Sequence, residues 1–207
     1  MRKASIGSLV LLFAANVPHS LFGQQQSERA DKVQARNDCR LAVQVLVHGQ
    51  PANKRDWALT VIDDCGPEGA DAIAHALREE RRASTRSPGL DDLATAATSI
   101  VDAEVFRAAL EIAGDVTAGE AARVHAIGIL NTQITRRVLP YEALITDPYA
   151  GRVVMGNVTT WQPLVVRELP PDARSTTAEV LSHLLDESPC GSICLAARRV
   201  FYRIQTE

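Results

Sequence analysis

The stretch "WALTVIDDCGPEGADAIAHALREE", Trp57 to Glu80, limits what this chain can fold into more than any other. Ala58, Val61, Ile62 and Cys65 recur at i, i+3, i+4 and i+7, one face of an α-helix, and Asn53 stands where a residue could cap it. Gly66 suits the left-handed conformation that ends a helix, and Pro67 opens a new one at a position where its missing N–H does no harm. Ala70, Ile73, Ala74 and Leu77 then repeat the spacing. Two short amphipathic helices on either side of a sharp break cannot bury their faces alone. They need further helices to stack on.

The flanking sequence supplies them. Residues 27–48 favour helix, with Ala30, Val33, Leu41, Ala42, Val45 and Leu46 as the apolar face and Gly49 and Pro51 as the stop; the alternation Val43, Val45, Val47 leaves a short strand as the alternative. The loop "ASTRSPG" leads to a stripe of Leu90, Leu93, Ala94, Ala97, Ile100 and Val101. Asp102 can cap "AEVFRAALEIAG", with Val105, Phe106, Ala109 and Ile112 inward. Thr117 can cap the next helix, with Glu120 at the spacing of a capping box and Ala121, Val124, Ile127 and Leu130 inward. The expected fold class is all-α, built from antiparallel helix pairs. Trp57, beside its helix's apolar stripe, is expected in the core.

The helices carrying "DWALTVID", "DLATAATSI" and "EAARVHAIGIL" begin near residues 56, 92 and 120, a period of roughly 30 to 40 residues with two helices each. "DAEVFRAALEIAGD" and "EAARVHAIGIL" resemble the second helix of HEAT-like repeats, in which an acidic residue, a Val-Arg or Phe-Arg step, then Ala and an Ile-Gly or Leu-Gly step recur. The resemblance spans about residues 30–135 and implies a short α-solenoid. A plain bundle of Ala-rich helices is the alternative.

The ends of the chain differ from this middle. Arg2 and Lys3 precede an apolar run from Ile6 to Val17, about a dozen residues where about 20 are needed to span a bilayer. Small residues near Ser20 and Gly23 follow, and residues 1–23 therefore have the layout of a secretory signal peptide, an uncleaved anchor being the alternative. The resulting division is signal peptide 1–23, HEAT-like repeats 24–147, an irregular insert rich in Pro, Val and Thr at 148–172, and a capping helix pair at 173–207. Tyr141–Ile145 can be a short helix, and Arg152–Met155 and Leu164–Arg167 short strands or extended loop. Thr176 or Thr177 can cap "AEVLSHLLDES", and Pro189 can open the last helix. Trp161 in the insert is either a contact anchor for a partner or a pin for the insert itself.

The formal net charge is −3 and becomes more negative once Arg2 and Lys3 leave, which is not the footprint of a nucleic-acid binder. Four cysteines, an even number, in an exported chain favour disulfides. In an antiparallel hairpin of the first two helices Cys39 and Cys65 fall at similar heights, and Cys190 and Cys194 lie one helical turn apart, within bridging distance. A zinc site from His183, Cys190 and Cys194 is the weaker alternative, with too few ligands.

No His-Glu-x-x-His, Gly-x-Ser-x-Gly or phosphate-binding loop is present, and His48, His75, His125 and His183 fall on different helices. Each is expected as a surface or satisfied core residue, and the pairs Asp63-Asp64 and Asp91-Asp92 as solvated faces. The expected function is an exported, periplasmic or secreted, non-enzymatic interaction or scaffold module. It would need no cofactor or metal and have no stable membrane insertion, and its partner would be a protein or peptide. A metal-assisted hydrolase or other enzyme with a site assembled by the fold is the alternative, and a purely structural accessory domain of a larger envelope assembly is a third reading. Converging His and acidic side chains in a pocket would favour the enzyme, and a smooth groove would favour binding.

Overall fold

Short amphipathic segments separated by Gly, Pro and capping residues give nine α-helices among the described residues of a computed structural model. Those residues are 34, 37–48, 54–139, 141–145, 163–186 and 190–206, and everything below concerns the compact unit Ala35–Glu207. Helix α1 covers 37–48, α2 Arg55–Asp64, α3 Gly66–Glu79, α4 Pro88–Ser99 and α5 Ala103–Gly114. They are followed by α6 Glu120–Thr135, α7 Tyr141–Ile145, α8 Ala173–Leu185 and α9 Ser192–Thr206. The expected signal peptide 1–23, Asn53, the strand or extended loop expected at Arg152–Met155, Trp161 and Pro189 lie outside the described residues.

The break after α2 is built as its residues require. Gly66 has φ +54°, a left-handed conformation that a side chain would strain, and Pro67 sits in the first turn of α3. Cys39 of α1 is joined to Cys65 at this break, with Cα atoms 5.9 Å apart, and Cys190 is joined to Cys194 at 5.1 Å. Gly89, in the first turn of α4, lies where a Cβ would stand 2.1 Å from the Val47 carbonyl oxygen, so α4 starts directly against the end of α1.

α6 is the centre of the unit. Every residue from Ala121 to Gln133 is buried, and α4, α5, α7, α8 and α9 all pack on it. A helix covered on all sides is largely apolar all round, and two of its polar members reach backbone carbonyls of the unit. Arg123 Nε donates to the Ala113 carbonyl at 3.2 Å, and Asn131 Nδ2 to that of Arg137 at 2.7 Å. The core is aliphatic and Ala-rich. Leu46, Ile73, Leu93, Ile127, Leu130 and Leu181 are closed off from solvent, while Ala96, Ala97, Ala108 and Ala109 let helix backbones approach closely. Trp57 corrects the expectation of a core tryptophan: it is 40% exposed, because Ala58 and Ile62 take the inward face of α2.

Three helix starts depart from expectation. α6 is preceded by Gly119 and not by a Thr117 cap. Thr117 donates its N–H and hydroxyl to Asp115 Oδ1 at 2.8 and 2.7 Å in a local turn. Backbone carbonyls of another segment meet the amides there: Gly119 N–H donates to Arg81 at 2.7 Å and Ala122 N–H to Ala83 at 3.2 Å. α8 begins at Ala173 behind Asp172, a turn before Thr176, since Pro170 and Pro171 already impose a helical φ; Thr177 lies inside the helix and donates to the Ala173 carbonyl at 2.8 Å. α4 is capped by Ser87, whose Oγ accepts from Leu90 N–H at 3.2 Å.

Ile100 and Val101, expected to finish the α4 stripe, leave the helix as strand β1. They pair in parallel with β2, Leu164–Val165, the part of the insert that the sequence marks as strand. Asp102 fastens this junction. Its Oδ1 caps α5 by accepting from Glu104 N–H at 2.7 Å, and its carboxylate takes Arg167 in two bonds of 2.6 and 2.8 Å. Gln133 of α6 closes the network from behind, accepting from Asp102 N–H at 2.9 Å and donating to the Ile100 carbonyl at 2.8 Å.

Candidate functional sites

A groove of about 900 Å³ runs between α1 and α3. Helical periodicity builds its floor, since Val43 and Val47 lie one turn apart on α1, and Ala72 and Ala76 one turn apart on α3. Glu68, Asp71, Glu79 and Glu80 stand along the α3 side, against Arg40 on α1. His48 and His75 also line it, and the His75 ring is 3.8 Å from the Glu79 carboxylate with both side chains largely in solvent. Asp71 is anchored by Arg167, whose Nη2 donates to it at 2.6 Å. The result is an open, acidic trough with a small-residue floor.

A second, smaller cleft of about 220 Å³ lies between α4, α6 and α7. His125 projects into it from α6, its side chain only 7% exposed. Its Nε2 is 3.0 Å from Asp91 Oδ1 but lacks the alignment of a hydrogen bond, so this buried nitrogen has no hydrogen-bond partner. Burial pushes the His125 pKa below its ordinary value, and the Asp91 carboxylate opposes that shift without reversing it. Tyr141, at the start of α7, lies against the imidazole with ring centroids 4.6 Å apart, and its phenol pKa is raised by burial.

Arg86, from the loop before α4, also lines this cleft. Its Nε donates to Asp91 at 2.7 Å, its Nη1 to Glu142 at 2.5 Å, and its guanidinium lies 4.7 Å above the Tyr141 ring. The Glu142 carboxyl is held below the usual range first by a backbone N–H and then by Arg86. The hydroxyls of Thr95 and Thr98 point back into their own helix, donating to the carbonyls of Asp91 and Thr95 at 2.8 and 2.9 Å.

The residues that the sequence singles out are distributed differently. Cys190 and Cys194 are bonded to each other, so neither offers a thiolate, and His183 is exposed on α8; the three do not make a zinc site. Asp92, expected on a solvated face, is buried and accepts from Arg55 at 2.7 Å, pinning α2 to α4. The clustering of His125, Asp91, Glu142, Tyr141 and Arg86 has no local signature, because its members come from two helices, a loop and a third helix. One sign of it was available: His125 stands within the apolar run Val124 to Leu130 of α6. Among the described residues no group of three or more His, Cys, Asp or Glu side chains could hold a metal ion, and none of the helices is long and apolar enough to cross a membrane.

Compared with protein-family models, curated proteins and solved structures, the chain has no significant match.

Proposed function

We propose that this chain is an exported, non-enzymatic protein-interaction module whose α1–α3 groove receives a basic, amphipathic segment of a partner protein. The observation that carries the proposal is the make-up of that groove. Its floor of Val43, Val47, Ala72 and Ala76 offers apolar surface without bulk, and along its sides stand Arg40 and four carboxylates, of which Asp71 is held by Arg167. An amphipathic helix with apolar residues on one face and Lys or Arg beside them complements such a trough in both respects. In this proposal the helices within residues 24–147 are stacked repeats of the HEAT-like kind and α8 with α9 cap them, which leaves a flank of the first helices open for docking. Export is supported by the signal-peptide layout of residues 1–23 and by two disulfides, bonds that persist in oxidising compartments.

Of the enzyme alternatives, the second reading is an enzyme with a site assembled by the fold, because His125, Asp91 and Glu142 converge on the small cleft, although the three do not form a group that could hold a metal ion. Arg86 weighs against it, since it pairs with both carboxylates, and both threonine hydroxyls are engaged in their own helix. The groove proposal is tested by affinity capture from envelope extract with the disulfide-bonded mature chain and its Ala72→Arg variant, which fills the floor and puts a positive charge on it. The wild type should retain a partner, release it as salt rises, and lose it in the variant. Equal capture by both chains would refute the proposal.

A further inference from the structure

We propose that the cleft between α4, α6 and α7 binds a primary ammonium group, carried by a lysine side chain or a free amino terminus. This does not rest on the α1–α3 groove. The charges facing the cleft do not cancel. Asp91 and Glu142 bring two carboxylates, and among the described residues Arg86 is the only cationic one in the lining. His125, kept below its ordinary pKa by burial, adds no charge at pH 7. The site is therefore left with one net negative charge.

The second observation is the imidazole itself. His125 Nε2 is buried and has no hydrogen-bond partner, although a carboxylate oxygen lies 3.0 Å away. An unmet hydrogen bond at a buried nitrogen is costly. A group placed beside both atoms and carrying several N–H donors would meet the ring nitrogen and the carboxylate together, and an ammonium has three. A guanidinium fits less well, because Arg86 already holds the forked position on Asp91, with its Nε 2.7 and 2.8 Å from the two oxygens. The remaining wall, formed by Ile129, Leu139 and Leu144, is apolar and suits the methylene stem of lysine. A volume of about 220 Å³ admits one side chain or chain end and falls short of the usual size of a small-molecule site.

The test follows the His125 ring signals by NMR in the intact, disulfide-bonded chain at pH 7. The probes are Nα-acetyl-lysine N-methylamide, alanine N-methylamide with its free amine, and Nα-acetyl-norleucine N-methylamide as the uncharged analogue. One or both amines should shift the ring signals saturably, and which of them does so identifies lysine or the amino terminus as the source. The norleucine compound should not shift them. Asp91→Asn should weaken the amine by at least tenfold, and Glu142→Gln, whose side chain is mostly in solvent, should weaken it several-fold without disturbing the fold. A silent ring with both amines, an equal response to norleucine, or unchanged affinity in a folded Glu142→Gln chain would each overturn the proposal.

Discussion

Asp102, with no solvent exposure, joins three parts of the molecule through one residue. Its carboxylate caps α5 and grips Arg167 beside β2, and its amide binds Gln133 of α6. Asp102→Ala removes a helix cap, about 1 kcal/mol, and charge-assisted bonds worth about 1.5–3 kcal/mol. The latter figure is reduced because Arg167 is one-third exposed and keeps Asp71. A loss of about 2–4 kcal/mol is expected in urea unfolding, and a smaller one for Asp102→Asn, which retains a capping oxygen. An unchanged midpoint in the alanine chain would show that the junction is not held this way. The sequence revealed half of this residue's role. An acid just before "AEVFRAALEIAG" reads as a cap, but Arg167 lies 65 residues away and no local pattern couples the two. His125 was hidden for the same reason, since Asp91 and Tyr141 reach it only through the packing of α4 and α7 on α6.

At the scale of elements, the Cys39–Cys65 bond closes a separation of 26 residues and ties α1 to the α2–α3 break. Chain entropy assigns such a loop roughly 3–4 kcal/mol, a large share of the 5–15 kcal/mol typical of a folded domain. Reduction, or Cys65→Ser, should lower the melting temperature and raise amide exchange in α1 and α2 before α6, and uniform exchange across all helices would contradict this. The Cys39–Cys65 pairing was legible because helix rise and the length of the turn fix relative heights without any knowledge of the rest. The α2–α3 break was legible because Gly and Pro act locally. The start of α6 was not: its amides are met by the carbonyls of Arg81 and Ala83, a tertiary contact that displaced the Thr117 cap. Strand β1 escaped notice because Ile100 and Val101 continue an apolar helical stripe, and only pairing with Leu164 and Val165 takes them out of it.

For the whole molecule, pH reads out the buried histidine. The folded state holds His125 below its ordinary pKa of 6.5, so below that value the unfolded chain binds more protons and stability falls with pH. Glu111 and Glu142, whose pKa values are lowered by arginine contacts and, at Glu142, first by a backbone N–H, destabilise the fold in a separate window, below about their ordinary 4.5. Urea titrations should therefore show two losses on acidification, and His125→Gln should remove the upper one alone. A wild-type stability that is flat between pH 7 and 5 would contradict the buried, neutral imidazole.

The acidic trough between α1 and α3 is the central claim, and a photo-crosslinking amino acid at position 72, on its floor, addresses it most directly in the expressing cell. The account predicts a discrete adduct at 72, mapping to a basic amphipathic segment of another protein, and none from the same group at the exposed position 179 of α8. No adduct at 72, equal adducts at both positions, or a crosslink mapping within the chain itself would contradict it.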